Sequence, residues 1–149
     1  MYYQDLTPYE YIPELTEPGL LNIGWLDAKY DYPTGNVPEE FLDQLFQLCF
    51  QPVNATRGYH QCPFCERPSF GLKVSWRGKD MTLGSAEIRA QGKNGISYAA
   101  PNLIFHYVEA HGYQPPAEFI NAVLRQSSRR STAFCLTLLK RIGMALNWH

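Results

Sequence analysis

Residues 60–65 read His-Gln-Cys-Pro-Phe-Cys, and this stretch, here called the knuckle, decides how the rest of the chain is interpreted. Two thiols that are two residues apart across a proline turn can point at one centre, either a metal ion or a disulfide. The N-terminus is polar and lacks the basic and then apolar order of a signal peptide, so we expect a cytoplasmic, reducing location. In such a compartment a close cysteine pair favours metal binding or redox chemistry.

A tetrahedral zinc site needs two ligands beyond this pair, and the histidines are the candidates. Cys49 and Cys135 fall inside helical patterns and are not expected to bind; Cys49 lies on an apolar face, as a small core residue. His106 and His111 lie on a predicted helix over 101–111, at a spacing within the range of Cys2His2 sites. We therefore predict one structural zinc ion, with the ligands Cys62, Cys65, His106 and His111.

The geometry of a regular helix opposes this set of four ligands. Five residues turn through about 500°, which leaves His106 and His111 about 140° apart around the helix axis. Convergence requires the last turn to unwind, and Gly112 directly after His111 makes this feasible. His60 is the alternative, either as a ligand that replaces one helix histidine or as a hydrogen-bond donor to a cysteine sulfur.

Two enzymatic alternatives stay open. Cys-Pro-Phe-Cys is also the pattern of a glutaredoxin-like site, where a helix N-terminus stabilises the first thiolate, here Cys62. Pro68 and Gly71 argue against a helix that begins at the knuckle. A zinc hydrolase would need an open coordination position and a general base, for which Glu109 is the obvious candidate. Because four protein ligands close the site, a structural metal is favoured over both enzymes.

The segments around the knuckle predict an α+β fold in one domain. A helix from Pro38 to about Phe50 has proline in its first turn and an apolar face. Turn sequences at 77–80 and 93–95 separate short apolar runs, which predicts an antiparallel meander. The predicted strands are 20–26, 70–76, 81–83, 86–90 and 96–99, and two further helices are predicted over 101–111 and about 117–125.

Charge is distributed unevenly along the chain. Residues 1–45 contain nine acidic residues and one lysine, a net charge of −8, whereas residues 57–93 contain seven basic and three acidic residues, a net charge of +4. We expect the acidic front to fold onto the basic middle. With a net charge of −1 for all 149 residues, the chain lacks the basic character of a nucleic-acid-binding protein.

Several longer motifs run through the chain: Asn-Ile-Gly-Trp-Leu-Asp (22–27), Pro-Thr-Gly-Asn-Val-Pro-Glu-Glu-Phe-Leu (33–42), Cys-Pro-Phe-Cys (62–65), Leu-Gly-Ser-Ala-Glu-Ile-Arg (83–89) and Tyr-Ala-Ala-Pro-Asn-Leu-Ile (98–104). With these motifs the chain resembles a bacterial family that is classed as a domain of unknown function. The resemblance covers residues 1 to about 125 and implies one domain in which the cysteine and histidine positions belong to a shared pattern; it implies no activity.

The tail, residues 126–149, is predicted to be separate from the domain formed by residues 1–125. A polar link, 126–132, precedes an amphipathic helix that Thr132 could cap. This helix could contact a membrane or a partner, although packing on the domain or in a dimer is favoured because two cations are few for anchoring. Its apolar stripe consists of Cys135, Leu138, Leu139, Ile142, Ala145 and Leu146.

The most economical function is recognition of another protein, as in an immunity- or regulator-like module without catalysis. This prediction rests on elimination and on the aromatic residues of the acidic N-terminal arm, residues 1–19. The candidate contact face consists of Tyr2, Tyr3, Tyr9 and Tyr11. The competing explanation is that these tyrosines have only a structural role in the arm.

Overall fold

Three α-helices and five strands make up the part of the chain that the structure, a computed structural model, describes: residues 1–66 and 70–143. This confirms the predicted α+β class. In chain order the elements are β1 (Leu20–Asn22), α1 (Glu39–Cys49), β2 (Leu72–Trp76), β3 (Lys79–Leu83), β4 (Glu87–Gln91), β5 (Ser97–Pro101), α2 (Ile104–His111) and α3 (Ala117–Gly143), and a 3-10 turn over Pro13–Leu15 precedes β1.

The strands form two sheets instead of one meander. β2 and β3 pair only with each other, as a hairpin, while β5 lies between antiparallel β4 and parallel β1. The chain passes from the first sheet to the second at Gly84 and Ser85, because backbone groups of these residues bond to residues outside the strands. The Gly84 N–H donates to Asn102 Oδ1 at 2.8 Å, and the Ser85 carbonyl accepts from the Thr56 N–H at 2.7 Å.

Both predicted tight turns have the left-handed backbone that their sequences favour. Arg77 and Gly78 join β2 to β3 with φ of 51° and 76°, and Asn94 and Gly95 join β4 to β5 with φ of 55° and 77°. Two successive positive φ values are the signature of a type I′ turn, which matches the twist of the flanking strands.

Helix α1 supplies one side of the core. Pro38 precedes it, and two glutamates occupy its first turn, where the helix dipole favours negative charge. The apolar side faces α2, α3 and β4. Its buried residues are Phe41, Leu45, Phe46, Leu48 and Cys49, which confirms Cys49 as a core residue.

The N-terminal arm lies on the domain, as expected. Tyr9 is fully buried, and its hydroxyl donates to Glu87 Oε1 on β4 at 2.8 Å. The acidic front and the basic middle also meet: Arg77 bridges Glu39 at 2.6 Å and Asp43 at 3.0 Å. Arg77 and Glu39 are exposed and Asp43 is partly exposed, so the bridges add little stability.

Two predicted helix boundaries are wrong. Pro101 ends β5, opposite Glu87, and α2 begins three residues later because the Asn102 N–H donates to the carbonyl of Ala86, the residue before β4. The polar segment 126–132 is not a link, since α3 continues through it to Gly143. Glutamine, arginine and serine are all compatible with a helix, and this segment contains no glycine or proline to end one. The predicted apolar stripe from Cys135 to Leu146 lies outside the described side chains.

Candidate metal centre

Four side chains from two distant segments meet at one point. Cys62 and Cys65 come from the knuckle, and His106 and His111 come from α2. Their Sγ and imidazole nitrogen atoms all lie within 4.8 Å of one another. The four residues predicted as zinc ligands are therefore brought together, and they are positioned to hold a metal ion.

The knuckle is a turn that directs backbone amides towards its first sulfur. The Cys65 N–H lies 3.4 Å from the Cys62 carbonyl, which closes the turn. Burial raises the pKa of the Cys62 thiol to about 11, while hydrogen bonds from the Phe64 and Cys65 amides oppose that rise. Amides that donate to sulfur favour the thiolate, which is the form that binds metals.

Gly84 positions the entry to the knuckle. The His60 N–H donates to the Gly84 carbonyl at 2.7 Å. Gly84 has a φ of +112°, and a Cβ atom there would lie 2.6 Å from the His60 carbonyl oxygen. Only glycine allows this close approach, so Gly84, the residue after β3, holds the knuckle in place.

The end of α2 is widened, and this brings its two histidines together. Gly112 is left-handed, with φ of 66°, and its N–H donates to the Tyr107 carbonyl, five residues back. The Tyr113 N–H donates to the same carbonyl at 3.0 Å. Hydrogen bonds across five or six residues make the last turn wider than an α-helical turn, in which the span is four.

Four of the six distances between the ligand atoms are close to the edges of a zinc tetrahedron. Bonds of about 2.3 Å to sulfur and 2.0–2.1 Å to nitrogen give N···N edges of about 3.3 Å and S···N edges of about 3.6 Å. The two Nε2 atoms are 3.1 Å apart. Three S···N distances are 3.3 Å for Cys62 with His111, 3.2 Å for Cys65 with His106 and 3.5 Å for Cys65 with His111.

Aromatic side chains clamp the knuckle onto α2. The ring of Phe64, between the two cysteines, lies 5.0 Å from Tyr32, 5.8 Å from Tyr107 and 5.3 Å from His111, measured between centroids. The Tyr32 hydroxyl donates to the His111 carbonyl at 3.1 Å. These contacts place an apolar cover over one side of the four ligands.

His106 is suited to metal binding because its surroundings keep it neutral. His106 is 7% exposed, and its burial lowers its pKa to about 4, with the neighbouring His111 as a second cause. A neutral imidazole offers a free lone pair at neutral pH, as a metal requires. Cys65 is exposed, so the centre is open to solvent on that side.

Other candidates from the sequence lie outside the cluster. His60 Nε2 is 3.5 Å from the Tyr11 hydroxyl and is not one of the grouped ligands. Glu109 is exposed on α2 and is also absent from the group. Sequence reasoning missed Gly84 and Phe64 as supports of the site. Phe64 is part of the Cys-Pro-Phe-Cys motif, but no sequence signal indicated which residues it packs against.

Comparison with known proteins places the centre in a family context. Residues 1–124 match the sequence profile of the family described as Domain of unknown function (DUF7919). The chain belongs to this family. The match confirms the resemblance to a domain of unknown function and spans all four candidate ligands; the bacterial source stays a prediction. No curated protein and no solved structure matches the chain.

Among the described residues, no helix combines the length and the apolar character needed to cross a bilayer.

Proposed function

We propose that the four-residue cluster binds one zinc ion in a structural role, joining the knuckle to α2. The observation that carries this proposal is the convergence of two sulfur and two nitrogen atoms within 4.8 Å of one another, with four of the six distances close to tetrahedral edges. A site of two thiolates and two imidazoles favours zinc by donor type and geometry, since carboxylates and carbonyls would suit magnesium or calcium instead.

The structural role is favoured over catalysis by the number of ligands. Four protein ligands fill a tetrahedron and leave no position for a reactive water molecule. A hydrolase would also need a general base within hydrogen-bond reach of that water. Glu109, the sequence candidate, is exposed and does not belong to the cluster.

Thiol–disulfide exchange is disfavoured by the surroundings of the cysteines. Low-pKa exchange cysteines typically lie at a helix N-terminus or beside a cation. Among the described residues, no helix begins at the knuckle, and β2 is the next element after it. Each cysteine instead lies within 3.5 Å of an imidazole nitrogen, an arrangement suited to shared metal binding.

For the whole domain we propose a binding role, with a protein partner, and the structure narrows the predicted contact face. Tyr9 is fully buried, and Tyr3 and Tyr11 pack on Trp25 at centroid distances of 5.8 and 5.0 Å. These three tyrosines therefore have a structural role. Of the predicted contact face this leaves Tyr2, which stacks on Tyr30 at 4.0 Å, and Tyr30 is 51% exposed.

Recognition through this pair is tested by co-purification from the native host. Tagged wild-type protein is compared with the Tyr30→Ala variant, and we expect the wild type to retain a protein that the variant loses. Identical sets of retained proteins would exclude the Tyr2–Tyr30 surface as the contact face.

The structural zinc proposal is tested by the Cys62→Ser variant with His60→Gln as the matched control. His60 lies in the same segment but outside the ligand cluster. We expect Cys62→Ser to lose stoichiometric zinc and to melt at a lower temperature, and His60→Gln to retain both. A Cys62→Ser protein that melts like the wild type, or a His60→Gln protein that loses zinc, would contradict the proposed ligand set.

A further inference from the structure

The two sulfur ligands of the proposed zinc site differ in their access to solvent. Cys62 is 8% exposed and packs with the core, whereas Cys65 is exposed. Phe64 and its aromatic neighbours cover another side of the ligands; its ring lies 5.3 Å from that of His111. A small molecule that arrives from solvent therefore meets the Cys65 sulfur before it meets the Cys62 sulfur.

The turn of the knuckle holds its two cysteines within reach of each other. The Cys65 N–H lies 3.4 Å from the Cys62 carbonyl, the contact that closes a β-turn. The first and fourth Cα atoms of such a turn are less than about 7 Å apart, and a disulfide requires Cα atoms about 4.4–6.8 Å apart. The two Sγ atoms already lie within 4.8 Å of each other. A disulfide between them therefore needs mainly a rotation of the side chains.

The described part of the chain places Cys62, and not Cys49, beside Cys65. Cys49 is 3% exposed in the core, its Sγ lies 3.8 Å from the Asn102 carbonyl oxygen, and it does not belong to the ligand group. Cys135 lies outside the described side chains. Cys62 is therefore the cysteine that is placed to react with an oxidised Cys65.

Metal binding gives the exposed sulfur the chemical form that oxidants attack. A thiol that binds zinc does so as a thiolate. A thiolate that is accessible to solvent and lies next to a second cysteine is readily oxidised to a sulfenic acid, which condenses with its neighbour to a disulfide. Cys65 meets both conditions. The disulfide would remove two of the four ligands and leave only His106 and His111, too few for a structural zinc site.

We propose that the knuckle is an oxidation site, at which hydrogen peroxide joins Cys62 and Cys65 in a disulfide and releases the zinc ion. The proposal rests on the structural zinc ion proposed above. The Cys65 thiolate attacks one peroxide oxygen, the O–O bond breaks, and hydroxide leaves a sulfenic acid on Cys65. The Cys62 thiolate then attacks the Cys65 sulfur and displaces a second hydroxide. The cysteine pair loses two electrons, the peroxide gains them, and protons from solvent convert both hydroxides to water.

This reaction changes the protein itself and is not turnover by a thiol–disulfide exchange enzyme. Each chain is oxidised once, and a thiol reductant regenerates the pair. The predicted cytoplasmic location would supply such a reductant. Because the zinc ion joins the knuckle to α2, its release makes the domain less stable in the oxidised form.

The full chain is tested as it is isolated, with its zinc content measured by elemental mass spectrometry before oxidant is added. Hydrogen peroxide is then added in molar excess with a colorimetric zinc indicator. Mass spectrometry follows the tryptic peptide 58–73, which contains both cysteines of the knuckle and loses two hydrogens when the disulfide forms. We expect about one zinc ion to be released per disulfide, and dithiothreitol with added zinc to restore the starting state. Zinc release without this disulfide would overturn the proposal.

Two variants show whether the pair is responsible. Cys65→His removes the exposed sulfur but supplies another zinc ligand, so we expect peroxide to release its zinc at least about tenfold more slowly. Cys49→Ala is the matched control, because it removes a thiol outside the ligand group and should release zinc at the wild-type rate. The wild-type rate in zinc-bound Cys65→His, or no release from folded, zinc-bound Cys49→Ala, would overturn the proposal. If Cys65→His does not bind zinc, the peptide measurement on the wild type still decides.

The zinc proposal and the oxidation proposal fail in different ways. A purified protein that contains no zinc and takes up none would contradict the structural zinc ion, and the oxidation proposal would fall with it. A zinc-bound protein that keeps its metal and both knuckle thiols in excess peroxide would contradict the oxidation proposal alone.

Discussion

His106 and His111 are five residues apart on one helix, yet their Nε2 atoms lie 3.1 Å from each other. A regular α-helix would direct these side chains to different sides. The left-handed Gly112 allows its own N–H and that of Tyr113 to bond to the Tyr107 carbonyl, which widens the last turn. The ligand pair thus depends on the helix end as much as on the two histidines.

Gly112→Ala tests this dependence. The residue has φ of 66°, which costs a non-glycine residue about 1–2 kcal/mol, while an added Cβ atom would meet no atom within 4 Å. We expect a loss of stability of about 1 kcal/mol and weaker zinc binding, measured by chemical denaturation and by competition with a chelator. Gly58→Ala is the control, because its Cβ atom would also meet nothing and its φ is ordinary. Unchanged zinc affinity in Gly112→Ala would show that the widened turn is not needed.

Phe64→Ala tests the aromatic clamp. The substitution removes the contacts of the knuckle with Tyr32, Tyr107 and His111 but leaves all four ligand residues in place. Because Phe64 is half-buried, we expect a loss of about 2 kcal/mol in the free energy of unfolding, below the 3–5 kcal/mol of a fully buried phenylalanine. Zinc stoichiometry should remain one per chain; complete loss of zinc would mean that Phe64 is required for the site to form.

Tyr9→Phe tests the structural role of the N-terminal arm. The variant keeps the buried ring and removes the hydroxyl that donates to Glu87 Oε1. Hydrogen bonds to charged groups contribute about 1.5–3 kcal/mol, so we expect a destabilisation of about 2 kcal/mol in urea unfolding. Tyr30→Ala, on the surface, should change stability by no more than about 0.5 kcal/mol. A larger destabilisation by Tyr30→Ala than by Tyr9→Phe would refute the structural role of the N-terminal arm.

Asp5 predicts a distinct dependence of stability on pH. Burial raises its pKa above the usual 3.8, although the Gly24 amide and the Tyr113 hydroxyl both donate to it. The folded protein therefore holds this proton more strongly than the unfolded chain does. The contribution is present at low pH and is lost as the pH rises from about 4 through the folded-state pKa. The free energy of unfolding is measured at low and at neutral pH, and Asp5→Asn should remove the contribution of the Asp5 proton from the difference between the two values. The same pH dependence in the variant and the wild type would contradict this role of Asp5.

Local sequence rules predicted the elements whose determinants lie within a few residues. Asn94-Gly95 gave a left-handed turn, and Pro38 with the following glutamates marked the start of α1. The parallel pairing of β1 with β5 was not predictable in this way, because 76 residues separate Leu20 from its partner Ser97. The same applies to the division into two sheets, which depends on the Asn102 side chain reaching Gly84.

The candidate site was predictable in its residue types but not in its geometry. Cysteine spacing identified the knuckle, and the two helix histidines completed a chemically sensible set of ligands. The widened end of α2 is a tertiary feature, and sequence could show only that Gly112 permits it. His60 illustrates the converse: it is two residues from Cys62, but the bond of its backbone to Gly84 leaves its side chain beside Tyr11.

The central claim, a structural zinc ion bound by Cys62, Cys65, His106 and His111, is tested most directly by metal analysis. Elemental mass spectrometry of the purified protein, before and after chelation, is combined with thermal unfolding of both samples. The account predicts about one zinc per chain. A site occupied about a thousandfold above its dissociation constant stabilises by about 4 kcal/mol, so chelation should lower the melting temperature by about 10 °C. Metal-free protein that melts at the same temperature with or without added zinc would contradict the account.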